Sequence, residues 1–330
     1  MQHHPIRRRE LLLGTAAAAL GSATSASWAQ PAWPSKSVNL VVPFPAGGGT
    51  DAFARPLAAQ FARSTGKTLV IDNKGGAGGT LGATFASRLP ADGYNLFMGG
   101  VHHTIAPSML PRLEYDLERD FIPLFLLAKV PQVVVVNPNN IKSPDFTRFL
   151  EEVRSKPGKF NYGSAGPGTS HHLAGELFKL QTNTFITHIP YTGAGPALRD
   201  LVGGQVDMMF DGLGSSAAHI QNGRIKALMV SGSKRNPALP DVPCAAEVGL
   251  PDYTVSTWYG LWTPKGTPAD MQARIIEEVR KLGDHEELKT IWAKNGAEYG
   301  GMSQQEFASM ISAEIKRWAA VVKASGSKMD

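Results

Sequence analysis

Apolar positions along this chain fall into two alternating patterns. Val38-Asn39-Leu40-Val41-Val42 is a short, almost unbroken apolar run, which predicts a strand buried on both faces, whereas Phe53, Leu57, Ala58 and Phe61 recur at three- and four-residue spacing, as on one helix face. Leu69-Val70-Ile71 reads as a second strand, Ala83 to Leu89 as a helix stopped by Pro90, and Asn95-Leu96-Phe97-Met98 as a third strand. Val133 to Val136 is purely β-branched and predicts a buried strand. It opens a second series: Asn161-Tyr162, a helix over about 170–180, Phe185–Ile189, a helix over about 195–201 stopped by Gly203-Gly204, then Val206–Phe210 and Ala227–Val230. Alternation of this kind predicts a parallel α/β sheet. Thr254 to Leu261 reads as another strand. Three helices follow with no strand between them. The first is opened by Thr267-Pro268-Ala269-Asp270, the second by Asp284 and Glu287, and the third by a Ser303/Glu306 capping box. The third presents Phe307, Met310, Ile311, Ile315, Trp318 and Val322 on one broad face. Helices without their own sheet have to bury such faces elsewhere, so the chain is expected to return to its first lobe. That implies crossings near Val133 and Thr254, and a hinge between two lobes.

The turns carry the chemistry. PFPAGGGTD, Pro43 to Asp51, joins the first strand to a helix, and GSAGPGTSHH, Gly163 to His172, does the same over a hundred residues later. Such turns expose the free N–H groups and positive dipole end of a helix, where an anion binds without a cationic side chain. NKGGAGGTLG, Asn73 to Gly82, and the segment Val101-His102-His103-Thr104, read as a polar loop, also follow strand carboxyl ends, where ligands of such sheets sit.

Arg7-Arg8-Arg9, the apolar stretch Leu11 to Ala23, and Ser27-Trp28-Ala29 read as a signal peptide with cleavage near Gln30, of the Sec or the twin-arginine kind. The stretch is too short to span a bilayer. Removing the leader takes away a net +2 (Arg7, Arg8 and Arg9 against Glu10), leaving +3 of the full chain's +5. That charge is too small and too scattered for a nucleic-acid partner. With one cysteine, Cys244, an exported chain has no internal disulfide. It relies on its core, for which 42% apolar residues suffice.

Catalytic signatures fail on inspection. Ser164 has Tyr162 where a nucleophile elbow needs glycine, and Gly66-Lys67-Thr68 has Phe61 where a P-loop needs one. GGAGGTLG lacks the acidic partner of a dinucleotide fingerprint. The adjacent pairs His102-His103 and His171-His172 lack zinc spacing, so neither a metal nor a cofactor is expected.

The runs PFPAGGGTD, NKGGAGGTLGA, PADGYNL, YGSAGPGTSHHLAGELF, HIPYTGAGPALRDLVGGQVDMMFD, ALPDVPCAAEVGLP and WYGLWTPKGTP resemble, in order and over nearly the whole mature chain, the Bug-type extracytoplasmic solute receptors of tripartite tricarboxylate transporters. The resemblance implies a two-lobed periplasmic binding protein, type II. It implies capture of a small mono- or dicarboxylate, held largely by main-chain groups and water, and delivery to membrane permease subunits. A sensor kinase as partner, or an exported hydrolase or lyase using a cleft histidine, is the alternative. A monomer is expected. The implied organisation is a signal peptide over 1–29, a discontinuous first domain over 30–132 and 254–330, and a second domain over 133–253.

The family match carries over to Pro43–Asp51, to Gly163–Thr169 with His172, and to Tyr191-Thr192-Gly193; His171 looks extra beside the usual histidine. The candidate ligand-binding set is Phe44, Ala46, Gly47, Gly48, Thr50, Asp51, Gly79, His102, His103, Ser164, Ala165, Gly166, Gly168, Thr169, His172, Tyr191, Gly193 and Asp211. The glycines serve a tight turn, close ligand approach, or both. Asp51 is either a helix cap paired with Arg55 or an acceptor for a ligand proton. Asp211 either stabilises Tyr191 or meets a ligand donor, and Phe44 is a cleft wall or core. Trp258 and Tyr259 are expected to pack the hinge.

Overall fold

The computed structural model describes residues 33–110, 112–299 and 301–325. The proposed leader over 1–29 and its cleavage near Gln30 lie outside them. The strands are β1 (Val38–Val42), β2 (Leu69–Asn73), β3 (Asn95–Gly100), β4 (Phe121–Val136), β5 (Asn161–Ser164), β6 (Thr187–Pro190), β7 (Met208–Gly212), β8 (Lys226–Val230), β9 (Ser256–Pro264) and β10 (Glu298–Tyr299). The helices are α1 (Gly49–Thr65), α2 (Thr80–Ser87), α3 (Val101–Met109), α4 (Phe146–Ser155), α5 (Ser170–Thr182), α6 (Ala194–Val202), α7 (Leu213–Gln221), α8 (Ala269–Gly283), α9 (Glu286–Lys294) and α10 (Gln304–Ser325).

The strands run β2-β1-β3-β9-β4-β7-β5-β6, with β10 and β8 also pairing with β4. The sheet is mixed rather than parallel. β2-β1-β3 and β6-β5-β7 are parallel, while β4, β8, β9 and β10 pair antiparallel. The reason is β4. Its first part pairs with β9 from Phe121↔Pro264 to Pro131↔Ser256, and its last part pairs with β7 from Gln132↔Gly212 to Val136↔Met208. One 16-residue strand therefore belongs to both halves of the sheet. The expected strand Val133–Val136 is only its end. Pro123, Lys129 and Pro131 hide the rest from a pattern search. A strand tolerates proline at bulges and edges, and the register slips between Pro123 and Phe125.

Apolar packing follows the same division. One set of buried residues, including Phe149, Tyr162, Phe178, Phe210 and Tyr253, spans 134–255, and a second, including Val133, Leu198, Met209 and Leu213, lies within 133–242. The opposite half buries Phe53, Phe61 and Leu96 together with Ile275, Val279, Leu288 and Trp292 of α8 and α9. Phe307, Ile311, Trp318 and Val322 of α10 join Phe97, Phe121, Trp258 and Trp262 there. Each such side chain contributes about 1.5–3 kcal/mol through burial.

Three local expectations fail. Thr267 does not cap α8; its hydroxyl donates to the Pro264 carbonyl at 2.9 Å and pairs with Thr263 at 2.7 Å, and Pro268 holds the cap position. Asp284 ends α8, and α9 begins at Glu286 with His285 at its cap, so Asp284 and Glu287 do not open it together. The short β10 stands between α9 and α10, pairing with Lys129 and Ala128 of β4. The Ser303/Glu306 box forms: Ser303 N–H donates to Glu306 Oε2 at 2.8 Å and Glu306 N–H to Ser303 Oγ at 3.2 Å.

Candidate functional site

Four helices begin where the two halves of the sheet face each other. α1 starts immediately after the glycine turn. Gly47 takes φ +85°, a conformation glycine adopts freely, and its N–H donates to Asp51 Oδ2 at 3.0 Å. Arg55 Nε donates to the same oxygen at 2.7 Å. Asp51, 4% exposed, therefore shapes the turn from inside the helix rather than facing a ligand. Asn73 Nδ2 donates to the Phe44 carbonyl at 2.9 Å and holds the other side of the turn.

The expected polar loop 101–104 is instead the first turn of α3. Gly100 N–H donates to His103 Nδ1 at 3.1 Å, a cap supplied by the third helical residue. α5 is capped by Thr169, whose hydroxyl donates to the Gly166 carbonyl at 2.7 Å and accepts from the His172 N–H at 3.4 Å. Gly166 N–H donates to Ser164 Oγ at 3.0 Å, and that oxygen lies 2.6 Å from His188 Nε2. α6 follows Gly193.

A small cavity of ≈ 10 Å³, room for about one water, lies among these helix starts, lined by Phe44, Gly48, Gly49, Thr50, His102, Ala165, His171, Ala194 and Tyr259. Each of α1, α3, α5 and α6 contributes a residue from its first turn. The first N–H groups of a helix have no intrahelical acceptor, so their partial positive charge points at this space. No Lys or Arg lines it among the described residues.

Of the predicted residues, Phe44, Gly48, Thr50, His102 and Ala165 line the cavity. Ala46, Gly47 and Gly193 form the seam beside it. A Cβ on Gly195 would lie 2.5 Å from the Ala46 carbonyl oxygen, and one on Gly193 2.7 Å from Pro45 Cδ. The two turns meet backbone to backbone there. Gly79, at φ +94°, lets the Phe44 ring pass; a Cβ would sit 2.8 Å from its Cζ. Ser164, Gly166, Gly168 and Thr169 bond among themselves and with their own helix.

Four assignments change. His172 faces away from the cavity: Gly168 N–H donates to its Nδ1 at 3.2 Å, and it stacks on His188 with ring centroids 4.2 Å apart. Tyr191 donates to Asp200 Oδ2 at 2.7 Å, not to Asp211. His103 is fully buried behind His102, against Phe97 and Tyr115. Asp211 is fully buried below the cavity, accepting from the hydroxyls of Ser215 at 2.7 Å and of Ser216.

Four cavity residues, Gly49, His171, Ala194 and Tyr259, lie outside the candidate set. His171, 4% exposed, lines the cavity with Nε2 3.6 Å from Asp211 Oδ1. Its signal was present: at helical spacing His171 shares a face with Ala174 and Phe178, whereas His172 shares one with Glu176 and Lys179. Tyr259 reaches the cavity from β9. A Cβ on Gly49 would lie 2.0 Å from its hydroxyl oxygen, so that position has room only for glycine. Burial, helped by Asp211, pushes the Tyr259 phenol up. Burial is also the main cause that lowers His102 well below its ordinary value, with His171 and His103 adding to it, and that lowers His171 against the opposing pull of Asp211. Both rings are neutral at physiological pH.

The family model described as "Tripartite tricarboxylate transporter family receptor" matches residues 53–327. The chain belongs to that receptor family. Its fold is that of solved members. The periplasmic binding protein BugD superposes with a TM-score of 0.85 at 32% identity, covering 90% of this chain and 100% of that one. An R. palustris protein solved with adipate gives 0.85 at 34% identity, covering 90% and 100%. MatC from Rhodopseudomonas palustris with bound malate gives 0.81 at 34%, covering 88% and 100%. The receptor is thus a periplasmic two-lobed solute-binding protein of the Bug type, and its relatives are binding proteins rather than enzymes.

Proposed function

We propose that this receptor captures a small mono- or dicarboxylate between its lobes and delivers it to membrane permease subunits. The observation that carries the reading is the convergence of four helix N-termini on one cavity without a lining Lys or Arg. Preorganised N–H groups recognise an anion there without burying a permanent charge. A ligand carboxylate is assigned to the space between the Gly48–Thr50 turn and Ala165, with Phe44 as its apolar wall. The solved relatives carrying adipate and malate support the chemical class. Micromolar capture needs about −8 kcal/mol. Hydrogen bonds to a charged group contribute about 1.5–3 kcal/mol each, so a handful suffices after the entropic cost.

The proposal includes export by a Sec or twin-arginine leader over 1–29. It also includes a hinge between a first domain of 30–132 with 254–330 and a second of 133–253, a division that β4 supports by pairing with β9 in one half-sheet and with β7 in the other. The test is a thermal-shift screen of a carboxylate library followed by calorimetry, since a ligand that binds the folded state raises its apparent stability. Binding of at least one carboxylate, with the ligand recovered unchanged, is expected. A folded receptor that binds none, or that converts its ligand, overturns the reading.

A further inference from the structure

The first N–H groups of α5 are not all open to a ligand. Thr169 caps the helix, and its hydroxyl takes the His172 N–H. Ser170 is the first helical residue and is fully buried. At that position an N–H has no acceptor within its own helix. It donates instead to His102 Nδ1 at 3.2 Å, and the Ser170 hydroxyl oxygen lies 3.4 Å from the same nitrogen. His102 stands in the first turn of α3, which follows β3 in the half-sheet β2-β1-β3, whereas α5 follows β5 in the opposite half. A buried hydrogen bond thus joins the two lobes. Among the described residues no other pair links α1 or α3 to α5 or α6 by a hydrogen bond.

The acceptor is held in place. An amide N–H can only donate, so Nδ1 of the neutral ring is bare and the ring hydrogen is on Nε2. Phe44 from one lobe and His171 from the other pack edge-to-face on the imidazole, with centroids 5.0 and 5.7 Å away. Around this contact the lobes are shut. The cavity measures only ≈ 10 Å³, and a Cβ on Gly195 would lie 2.5 Å from the Ala46 carbonyl oxygen across the seam. A carboxylate of even a few carbons is larger than one water, so it enters as the lobes part, and parting them separates Ser170 from His102. We propose that His102 is an internal stand-in for the ligand: its Nδ1 occupies the first N–H of α5 and holds the lobes shut, and an incoming carboxylate displaces it. The inference rests on the carboxylate reading above and adds a contact that opposes it. The bond favours the shut form alone, so it reduces the population of the binding-competent form and lowers apparent affinity by the same factor. One hydrogen bond of this kind corresponds to a factor of about 2 to 10. Once released, the Ser170 N–H is available to a ligand oxygen.

Calorimetry and NMR test it, with malate, succinate and adipate as probes. In His102→Leu the acceptor is gone, so at least one acid should bind about 2- to 10-fold more tightly than it binds the wild type. His102→Asn keeps an acceptor oxygen at the place of Nδ1 along the side chain and should bind as the wild type does. In the wild type without acid, the Ser170 amide should exchange slowly with solvent and show coupling through the hydrogen bond to His102 Nδ1. At saturating acid that coupling should vanish. A coupling that persists at saturation, or its absence from the acid-free receptor, overturns the stand-in and leaves the carboxylate reading intact. Equal or weaker binding by folded His102→Leu also overturns it, the weaker case making His102 a ligand contact. If His102→Leu does not fold, the wild-type spectra decide alone. Absence of binding by all three acids, to the wild type and both variants, overturns the carboxylate reading together with this inference.

Discussion

At position 48 the obstacle to a side chain is the facing lobe, not the backbone. Gly48 has φ −89°, which any residue adopts; the positive φ lies at Gly47. A Cβ at 48 would stand 3.5 Å from Gly195 N and 3.6 Å from Ala194 Cβ, so alanine fits and a branched residue does not. Gly48→Val is expected to weaken ligand affinity by about 1–3 kcal/mol, the usual cost of overpacking, while leaving each lobe folded. Calorimetry alongside circular dichroism separates the two effects. Thr169 behaves differently. Its hydroxyl is spent on its own turn and helix, so Thr169→Val should cost about 1 kcal/mol of stability through the lost cap, read by urea denaturation. Any change in affinity would follow from movement of the turn. Cys244→Ala and His285→Ala should leave affinity unchanged, because neither residue lines the cavity.

Element by element, legibility depended on how cleanly one period was expressed. The Phe53–Phe61 face of α1 and the Phe307–Val322 face of α10 were plain in the sequence, because both repeat over several turns. The start of α3 was not, because Val101-His102-His103-Thr104 is polar in sequence and buried only through its neighbours. The length of β4 was hidden by two prolines and a lysine. α10 supplies the sharpest prediction at this scale. Phe307 is fully buried and packs on Trp262 and Trp258, with centroids 5.0 and 5.9 Å away. Phe307→Ala should cost about 3–5 kcal/mol, the range for an aromatic cavity in a core, measured by chemical denaturation. A loss under 1 kcal/mol would mean that α10 contributes little to holding the first lobe together.

Across the whole molecule, the histidines link stability to pH. Burial lowers His102, His103, His171, His172 and His188, with His103 and His188 each brought to about 4. In the unfolded chain a histidine titrates near its ordinary value of about 6.5. Between those values the unfolded chain binds protons that the folded one refuses, so acidification favours unfolding. Stability should hold above pH ~6.5 and decline from there to about pH 4, before most carboxylates titrate. For fully buried His103 the contribution is on the order of 3 kcal/mol. A melting-temperature series from pH 7.5 to 4 checks the slope, and His103→Asn should flatten it. A melting temperature independent of pH over that window would contradict the burial of these rings. The hinge is tested by small-angle scattering, which should report compaction when a bound carboxylate is added.

The sequence by itself determined the strand–turn–helix units, the glycine turns that leave helix N-termini exposed, and the lack of a catalytic signature. Each is written in neighbouring residues, where period, capping and backbone freedom act over one or two turns of chain. Only the tertiary structure decided which residues share the cavity. His171 rather than His172 faces it, Tyr259 enters it from β9, and Asp51, Tyr191 and Asp211 turn to partners at 47 and 55, 200, and 215 and 216. The physical reason is that helix phase and strand pairing set a side chain's direction. An error of one residue in helix phase rotates that direction by about 100°, and the pairing that fixes it joins residues such as Val133 and Val230 that lie far apart in the chain.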